Sequence, residues 1–303
     1  MKRILVCGSN GLLGQRLAWL FDSDDEYEVL HSSHHRTFAE QDVLIDYTQL
    51  DIANRGDVKS LVSSYRPDVI LNAAAMTNVD ACERERELAW KMNVTAVENL
   101  VEVSKRIDAK LVHVSTDYVF DGKTGNYSED DRVNPVNYYG KTKLAGENMI
   151  ISSGINFVIL RTILVYGTGV NVRNNFALWV INSLNDGTPI KCAEDQISNP
   201  TYVADLAIAM KQCADTDARG LFHVSGAEQV SRYDFAVRAA EIFGYDTSLI
   251  KKVRLSEIEQ FAPRPLLTTF TNMKARHQLQ YHPLNVIQGL KLLQEEITGI
   301  HLN

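Results

Sequence analysis

The chain has 303 residues, 45% of them hydrophobic, and a formal net charge of −7 at pH 7. That length and apolar content suffice for one large domain or two closely packed ones with a full core. The acidic balance argues against nucleic acid as a partner. Without an apolar run of roughly 18 residues or a signal-peptide pattern, we also expect no membrane association and a cytoplasmic location.

The first half of the chain alternates short β-branched runs with helical patterns. Strands are predicted at 3–7, 28–30, 68–72 and 110–115, and helices from about 11, from about 55 and over 89–106. Near-continuous apolar strands that alternate with helices are typical of a parallel sheet covered on both faces. The predicted fold is therefore α/β, a doubly wound parallel sheet of the Rossmann type.

The second half begins with a helix whose N-cap we assign to Asn137 and whose end we place at 152–154. It continues with a strand at 156–161 and helices at 174–185, 202–213 and 233–243. Because the alternation loosens after about residue 170, we predict a dinucleotide-binding domain over 1–170. The remainder, 171–303, should be a smaller, mainly substrate-binding region, with segments at about 200–225 returning to the main sheet.

A glycine-rich loop, Gly8-Ser9-Asn10-Gly11-Leu12-Leu13-Gly14, joins the first predicted strand to the first helix. Glycine permits a tight turn and close approach of backbone to a pyrophosphate, and a helix N-terminus directs N–H donors at the anion. The spacing differs from the commoner Gly-x-Gly-x-x-Gly, and three glycines in a turn can be purely structural. The position favours cofactor binding, which we assign to Gly8, Asn10, Gly11, Leu12, Leu13 and Gly14.

The end of the second strand should face the adenosine ribose, where an acidic residue selects NAD. This chain has Ser32-Ser33-His34-His35-Arg36 there. Hydroxyls and an arginine suit a 2′-phosphate, whereas a carboxylate would repel it. We therefore predict NADPH as the preferred cofactor, held by Ser33 and Arg36, with NADH as the alternative. A solvated loop that never touches the ligand is the other interpretation of this segment.

Tyr139 and Lys143 stand four residues apart, after the predicted strand that ends at Ser115-Thr116. On a helix this spacing puts both side chains on one face. Since a nearby ammonium lowers the pKa of a phenol, we expect Lys143 to make Tyr139 a usable proton donor or acceptor. A packed tyrosine beside a solvated lysine is the alternative. The carboxyl edge of a parallel sheet, where ligands bind, favours catalysis.

Neither a metal site nor a disulfide framework is indicated by the sequence. The four cysteines form no Cys-x-x-Cys pair, and the adjacent His34 and His35 are badly placed for one metal. We expect buried thiols and no bound metal.

Four motifs together resemble the extended short-chain dehydrogenase/reductase family: the glycine loop, Asn72-Ala73-Ala74-Ala75, Ser115-Thr116-Asp117-Tyr118-Val119-Phe120-Asp121-Gly122 and Tyr139-x-x-x-Lys143. Within that family the chain is most similar to the dTDP-4-dehydrorhamnose reductases, through matches that span about residues 2–276. The resemblance implies a hydride-transfer enzyme that reduces the C4 keto group of a nucleotide-linked deoxysugar with NAD(P)H.

The resemblance also implies roles for individual residues. Thr116 would hydrogen-bond the reacting carbonyl, Tyr139 would donate the proton, and Lys143 would hold the nicotinamide ribose. The positions that match cofactor contacts of the family are Asp51 and Ile52 at the adenine and Ala73, Ala74 and Ala75 along the cleft.

The substrate-binding positions implied by the resemblance are Met76, Thr116, Asp117, Leu164, Asn175 and Arg264. Arg264 is the first candidate for the substrate diphosphate and Arg173 the second, although either could equally be an exposed or ion-paired residue. Three departures fall where the sugar should bind: Met76 replaces a tyrosine, Ile163-Leu164 a Ser-Trp pair, and Leu266-Leu267 a motif that contains asparagine. A different keto-sugar or nucleotide is therefore compatible with the same chemistry.

Two other functions remain open. One is a nucleotide-sugar epimerase or dehydratase, in which the same tyrosine and lysine act with a tightly held, recycled NAD. The other is a non-catalytic NADP-binding regulatory subunit, because a relative of these reductases serves as the β subunit of methionine adenosyltransferase. The resemblance further suggests a homodimer.

Overall fold

The computed structural model describes residues 1–22, 24–37 and 45–299, so 300–303 of the predicted C-terminal region lie outside it. Its strands are β1 Lys2–Cys7, β2 Tyr27–Ser33, β3 Tyr47–Gln49, β4 Val69–Asn72, β5 Lys110–Thr116, β6 Phe157–Thr162, β7 Val165–Tyr166, β8 Ile190–Ala193, β9 Ile197–Ser198, β10 Thr201–Tyr202, β11 Gly220–His223, β12 Val230–Ser231 and β13 Ile250–Val253. Its α-helices are α1 Leu12–Asp22, α2 Arg55–Tyr65, α3 Val79–Arg84, α4 Arg86–Trp90, α5 Ala96–Ile107, α6 Tyr138–Ser152, α7 Phe176–Asn185, α8 Val203–Asp215, α9 Arg232–Phe243, α10 Met273–Gln278 and α11 Val286–Thr298.

Seven strands form one sheet in the order β11-β6-β5-β4-β1-β2-β3. Every neighbouring pair in it is parallel. The predicted α/β fold with a parallel sheet is confirmed. Because β2 and β4 lie on opposite sides of β1, the strand order reverses at β1, and open α/β sheets bind ligands at such a switch point.

Alternate residues of β1 enter two different cores, one on each face of the sheet. Ile4 packs with Leu17 of α1 and Met210 of α8. Leu5 packs on the opposite face with Val62 of α2 and other side chains of α2 and α5. Coverage on both faces explains why the strands are nearly continuous apolar runs.

The second half of the chain builds a further core from α7, α9 and α11 around Phe235 and Leu290. It also contributes to the main sheet, since β11 pairs with β6 from Gly220 opposite Val158 to His223 opposite Arg161.

The helical stretch predicted over 89–106 is confirmed, and it contains a turn that the sequence did not predict. A π-turn, Lys91–Thr95, separates α4 from α5. Within it, Asn93 Oδ1 accepts the Met76 N–H at 2.9 Å, and Nδ2 donates to the Met76 carbonyl and to Thr142 Oγ1, both at 3.0 Å. The extra residue of the π-turn thus allows Asn93 to join the Met76 segment to α6, as π-turns at functional sites often do.

The start of α6 confirms the predicted cap. Asn137 Oδ1 accepts the Gly140 N–H at 2.8 Å, and its Nδ2 donates to the Pro263 carbonyl at 2.9 Å. One side chain therefore starts the helix that carries Tyr139 and Lys143 and anchors the distant segment that precedes Arg264.

All four cysteines are buried and free. No helix within the described ranges is long and apolar enough to cross a bilayer. Among these same residues, no group of three or more His, Cys, Asp or Glu is arranged to hold a metal ion.

Candidate active site

The glycine loop lies at the switch point between β1 and α1. Gly8 has a φ of 91°, and a Cβ there would stand 2.8 Å from the backbone nitrogen of Ala74. A Cβ on Gly14 would overlap the Gly8 carbonyl oxygen. The first turn of α1 holds no acidic residue that would compensate the positive end of its dipole. This arrangement fits a dinucleotide, whose pyrophosphate needs close backbone approach and a helix N-terminus.

The other predicted loop residues are accessible at the surface. Gly11 is exposed, and Asn10, Leu12 and Leu13 are partly exposed. Asn10 Nδ2 donates to the Thr37 carbonyl at 2.9 Å, which joins the loop to the segment after β2. Ala73, Ala74 and Ala75 follow β4 directly and are also partly exposed.

The segment after β2 presents Arg36 to solvent and keeps Ser33 buried. The Ser33 hydroxyl shares a 2.8 Å hydrogen bond with the Tyr47 hydroxyl and accepts the His35 N–H at 3.2 Å. Burial, then the neighbouring His35, lowers the pKa of His34, and Arg173 contributes to the same shift while Asp51 opposes it. Arg173 therefore lies at the predicted adenosine end of the site.

The predicted adenine contacts differ in exposure. Asp51 is partly exposed, and its Oδ1 accepts the Ala53 N–H at 2.9 Å. Ile52 is buried in the core beneath α2 and α5, and its carbonyl accepts from Asn99 at 3.0 Å. The Asp51 side chain is thus the more accessible of the two.

Thr116 and Tyr139 come together at the carboxyl end of β5. Both are buried. Burial raises the pKa of the Tyr139 phenol, and a hydrogen bond with Thr116 opposes that rise. The Thr116 hydroxyl also donates to Asp117 Oδ1 at 3.0 Å.

Lys143 shares the buried face of α6 with Tyr139. Burial raises the pKa of the Tyr139 phenol, and the acidifying effect of Lys143 stays a prediction. The Lys143 Nζ contacts the Val114 carbonyl at 2.7 Å and His113 Nε2 at 3.1 Å. Helical spacing sets the shared face, whereas β5 supplies the hydrogen-bond partners of the amine.

Asp117 is buried beside Thr116, and its carboxylate is held between two threonines. Thr268 Oγ1 donates to its second carboxylate oxygen at 2.6 Å. Burial raises the pKa of Asp117 to about 6, against the hydrogen bonds from Thr268 and Thr116. The carboxylate is therefore desolvated and oriented from both sides.

Two arginines lie near Tyr118, which packs edge-to-face on Tyr139 with ring centroids 5.9 Å apart. Burial, then Asp117, raises the pKa of Tyr118, while Arg232 and Arg264 oppose that rise. Arg264 is ion-paired with Asp80 and donates to the Ala262 carbonyl at 2.7 Å. The buried Nη1 of Arg232 has no hydrogen-bond partner within the described structure.

The remaining predicted substrate residues separate into different surroundings. Met76 packs against the cluster that contains Tyr139 and Cys82. Leu164 adopts a left-handed φ of 38° and packs beside Phe120. Asn175 caps α7, where its Oδ1 accepts the Leu178 N–H at 3.2 Å and its Nδ2 donates to the Gly167 carbonyl at 2.8 Å, so both ends of its amide are engaged.

The residues that sequence reasoning missed are Arg232, Thr268, His113 and Gln196, whose Oε1 accepts from Arg232 Nε at 3.4 Å. Arg232 offered a signal, because it is the first residue of α9, where the helix dipole disfavours a cation. For Thr268, Gln196 and His113 the sequence has no comparable signal, since their partners are distant in the chain.

The chain matches known proteins over nearly its whole length. The family model described as RmlD substrate binding domain matches residues 1–298. The dTDP-4-dehydrorhamnose reductase of Aggregatibacter actinomycetemcomitans is 33% identical, over 96% of this chain and 98% of its own length. The crystal structure of the Bacillus anthracis dTDP-4-dehydrorhamnose reductase in complex with NADP is 31% identical, with a TM-score of 0.87 over 98% of this chain and 100% of that one.

A relative with another name matches almost as well. The methionine adenosyltransferase 2 subunit beta of Xenopus laevis is 30% identical, over 87% of this chain and 78% of its own length. On the family match and on relatives of this identity and coverage, the protein belongs to the RmlD substrate-binding domain family.

Proposed function

We propose that this protein uses NADPH to reduce the 4-keto group of a nucleotide-linked deoxysugar, as a dTDP-4-dehydrorhamnose reductase does. The observation that carries the proposal is the buried contact between Thr116 and Tyr139 at the carboxyl end of β5, with Lys143 on the same helix face. The reductase relatives and the NADP complex of one of them support it.

A dinucleotide bound in this site would supply the hydride. The raised pKa of Tyr139 keeps the phenol protonated at neutral pH, so it enters as an acid and donates its proton to the developing alkoxide at C4. The Thr116 hydroxyl hydrogen-bonds the same oxygen. Lys143 would bind the nicotinamide ribose through its side-chain nitrogen.

The cofactor half of the proposed site follows the crevice. Its members are the loop residues Gly8, Asn10, Gly11, Leu12, Leu13 and Gly14, then Ser33 and Arg36, Asp51 and Ile52, and Ala73, Ala74 and Ala75. The exposed guanidinium of Arg36 is the group that favours a 2′-phosphate, and therefore NADPH over NADH.

The substrate half needs a cation for the diphosphate, and Arg232 fits that role better than Arg264. The Arg232 guanidinium lies over the Phe176 ring at 5.1 Å and near Asp117, between α7 and the catalytic pair. Among the residues that the structure describes, its buried Nη1 has no hydrogen-bond partner, and a phosphate oxygen would supply one. Arg264, already paired with Asp80, is the second cation.

The sugar pocket differs from the family pattern at Met76 and Leu164. Met76 packs against the cluster that contains Tyr139, at the position where the family has a tyrosine. We propose that Asp117 and Met76 together select the sugar, whose identity therefore departs from that of the reductase relatives. Homodimer formation stays a prediction, which sedimentation of the purified protein tests.

The test follows NADPH oxidation with a panel of nucleotide-linked 4-keto-sugars. We expect turnover with at least one of them, and a fall of roughly 10²- to 10⁴-fold in kcat for Tyr139→Phe. Tyr138→Phe is the matched control, because Tyr138 lies outside the contact between Thr116 and Tyr139. The Arg86 guanidinium carbon lies over the Tyr138 ring, 5.0 Å from its centroid. No turnover on any sugar, or full activity of Tyr139→Phe, refutes the reductase.

A regulatory subunit is the second candidate, favoured by the Xenopus laevis match. It predicts tight NADPH binding without turnover and a change in the kinetics of a methionine adenosyltransferase on mixing. Retention of that effect by Tyr139→Phe would decide for regulation. Stoichiometric NAD in the purified protein would instead indicate an epimerase or dehydratase.

A further inference from the structure

A buried hydrogen-bond chain runs from β4 through β5 to Lys143. Asn72 Nδ2 lies 3.0 Å from His113 Nδ1, and His113 Nε2 lies 3.1 Å from Lys143 Nζ. All three residues are at most 2% exposed. The Asn72 Oδ1 accepts the Ala74 N–H at 3.1 Å, and Lys143 donates to the Val114 carbonyl at 2.7 Å.

The hydrogen bonds from Asn72 to Lys143 have a definite donor-to-acceptor direction, because the Ala74 N–H sets the orientation of the Asn72 amide. With Oδ1 facing that N–H, the amide NH₂ points at His113 Nδ1, which must then be the acceptor. A neutral imidazole that accepts at Nδ1 carries its proton on Nε2. That Nε2–H points at the Lys143 nitrogen.

An Nε2–H donor is compatible with a neutral amine at Lys143 and incompatible with an ammonium. A neutral amine accepts through its lone pair and still donates to Val114. An ammonium has no lone pair and would face the ring N–H donor to donor. Turning the Asn72 amide over only moves the conflict, since its NH₂ would then face the Ala74 N–H.

We propose that Asn72 and His113 favour the neutral amine of Lys143 in the cofactor-free protein, and that dinucleotide binding converts Lys143 to the ammonium. The second half of this proposal rests on the proposed function. Ribose hydroxyls would offer the acceptors that the ring N–H denies to an ammonium. Asn72 and His113 are then positioning residues, which act on the reaction through Lys143.

The other charged or titratable groups around Lys143 are compatible with a neutral amine in the cofactor-free protein. Glu147, one turn along α6, is held by Arg161 at 2.7 Å and accepts from Ser115 at 2.5 Å. Burial raises the pKa of the Cys82 thiol to about 11 and that of the Tyr139 phenol, so both are neutral. Burial also lowers the pKa of Lys143 to about 8, while Glu147 and, less strongly, Cys82 oppose that fall.

The test is a titration of Lys143 in the cofactor-free protein by NMR of ¹³Cε-labelled lysine. The resonance is identified by its absence in Lys143→Met. We expect a midpoint of about 8 in the unsubstituted protein. A midpoint near the usual value of about 10.4 overturns the proposal.

Two uncharged variants test the direction of these hydrogen bonds, because it decides whether each variant raises or lowers the titration midpoint of Lys143. His113→Leu removes the donor to the neutral amine, and Asn72→Leu frees the ring to put its proton on Nδ1. Both are expected to raise the midpoint by about one pH unit, a tenfold change in the acid constant. If the ring instead accepts from an ammonium, both variants lower the midpoint, and a fall or no change overturns the proposal.

Calorimetry of NADPH binding above pH 8, in buffers of different ionisation enthalpy, tests the second half. We expect uptake approaching one proton per site, reduced at least twofold in His113→Leu. Binding without proton uptake overturns the coupling to the cofactor. Absence of NADPH binding counts against the proposed function alone, since the NMR titration needs no ligand.

Discussion

The two halves of the candidate site are built in different ways. The cofactor half uses backbone packing among neighbours in the fold, such as Gly8 against Ala74 and Gly14 against its own loop. The substrate half uses side-chain hydrogen bonds between distant segments, such as Asp117 with Thr268 and Arg264 with Asp80. The first is intolerant of any added atom, whereas the second can change partners and hence specificity.

Gly14→Ala should break the cofactor half most severely. Its Cβ would overlap the Gly8 carbonyl oxygen. Because that oxygen belongs to the backbone, the overlap can be relieved only if the loop moves. We expect a loss of roughly 3 kcal/mol or more in the free energy of unfolding, and loss of NADPH binding. Urea unfolding and a binding titration measure both.

Gly56→Ala is the control for that substitution. A Cβ on Gly56 would meet Asn54 Oδ1 at 3.3 Å, in the first turn of α2. The change in stability should stay within about 1 kcal/mol. Equal losses in the two variants would contradict the contrast between the two halves.

Asp117→Asn tests the buried carboxylate of the substrate half through pH. The pKa of Asp117 is raised by burial to about 6, so its stabilisation is complete below the unfolded pKa and is lost as pH rises through 6. Between pH 4 and 7 the wild type should lose on the order of 2 to 3 kcal/mol relative to Asp117→Asn. Urea unfolding at the two pH values measures the difference.

Asp246→Asn supplies a control of opposite sign. Hydrogen bonds from Ser248 lower the pKa of exposed Asp246, so its stabilisation is present at neutral pH and is lost as pH falls. A pH-independent difference between wild type and Asp117→Asn would show that burial does not disfavour the Asp117 carboxylate.

Arg232→Gln should separate substrate binding from cofactor binding. With Nη1 lost, we expect KM for the nucleotide-sugar to rise roughly 10- to 100-fold while NADPH affinity is unchanged. Arg238→Gln on the same helix is the control, because Arg238 forms a partly exposed pair with Glu228 at 2.7 Å. Unchanged KM in Arg232→Gln would return the anion-binding role to Arg264.

Arg36→Gln should give the smallest effect. We expect NADPH affinity to weaken up to about tenfold and NADH affinity to stay constant, since Arg36 would contact only the 2′-phosphate. Arg55→Gln, at an exposed arginine paired with Glu102, should alter neither. An equal loss of affinity for NADPH and NADH would show that Arg36 does not contact the 2′-phosphate.

Sequence reasoning succeeded where the signal was local. The parallel α/β sheet is confirmed, and so is the Asn137 cap, because hydrophobic period and capping chemistry act within a few residues. The helical stretch predicted over 89–106 is confirmed too, but its π-turn had no local signal, since Asn93 bonds to Met76 and Thr142, both remote in sequence. The contact of Lys143 with His113 had no local signal either, and the effect of Lys143 on Tyr139 stays a prediction.

The amino-acid sequence by itself determined the sheet, the glycine crevice and the placement of Tyr139 and Lys143 on one helix face. Only the tertiary structure decided which groups surround those side chains, and thereby their pKa values and the partners of Asp117, Arg232 and Lys143. The physical reason is the separation along the chain over which each effect acts. Backbone geometry repeats over a few residues, whereas desolvation and hydrogen bonding depend on every segment that folding brings within a few ångströms.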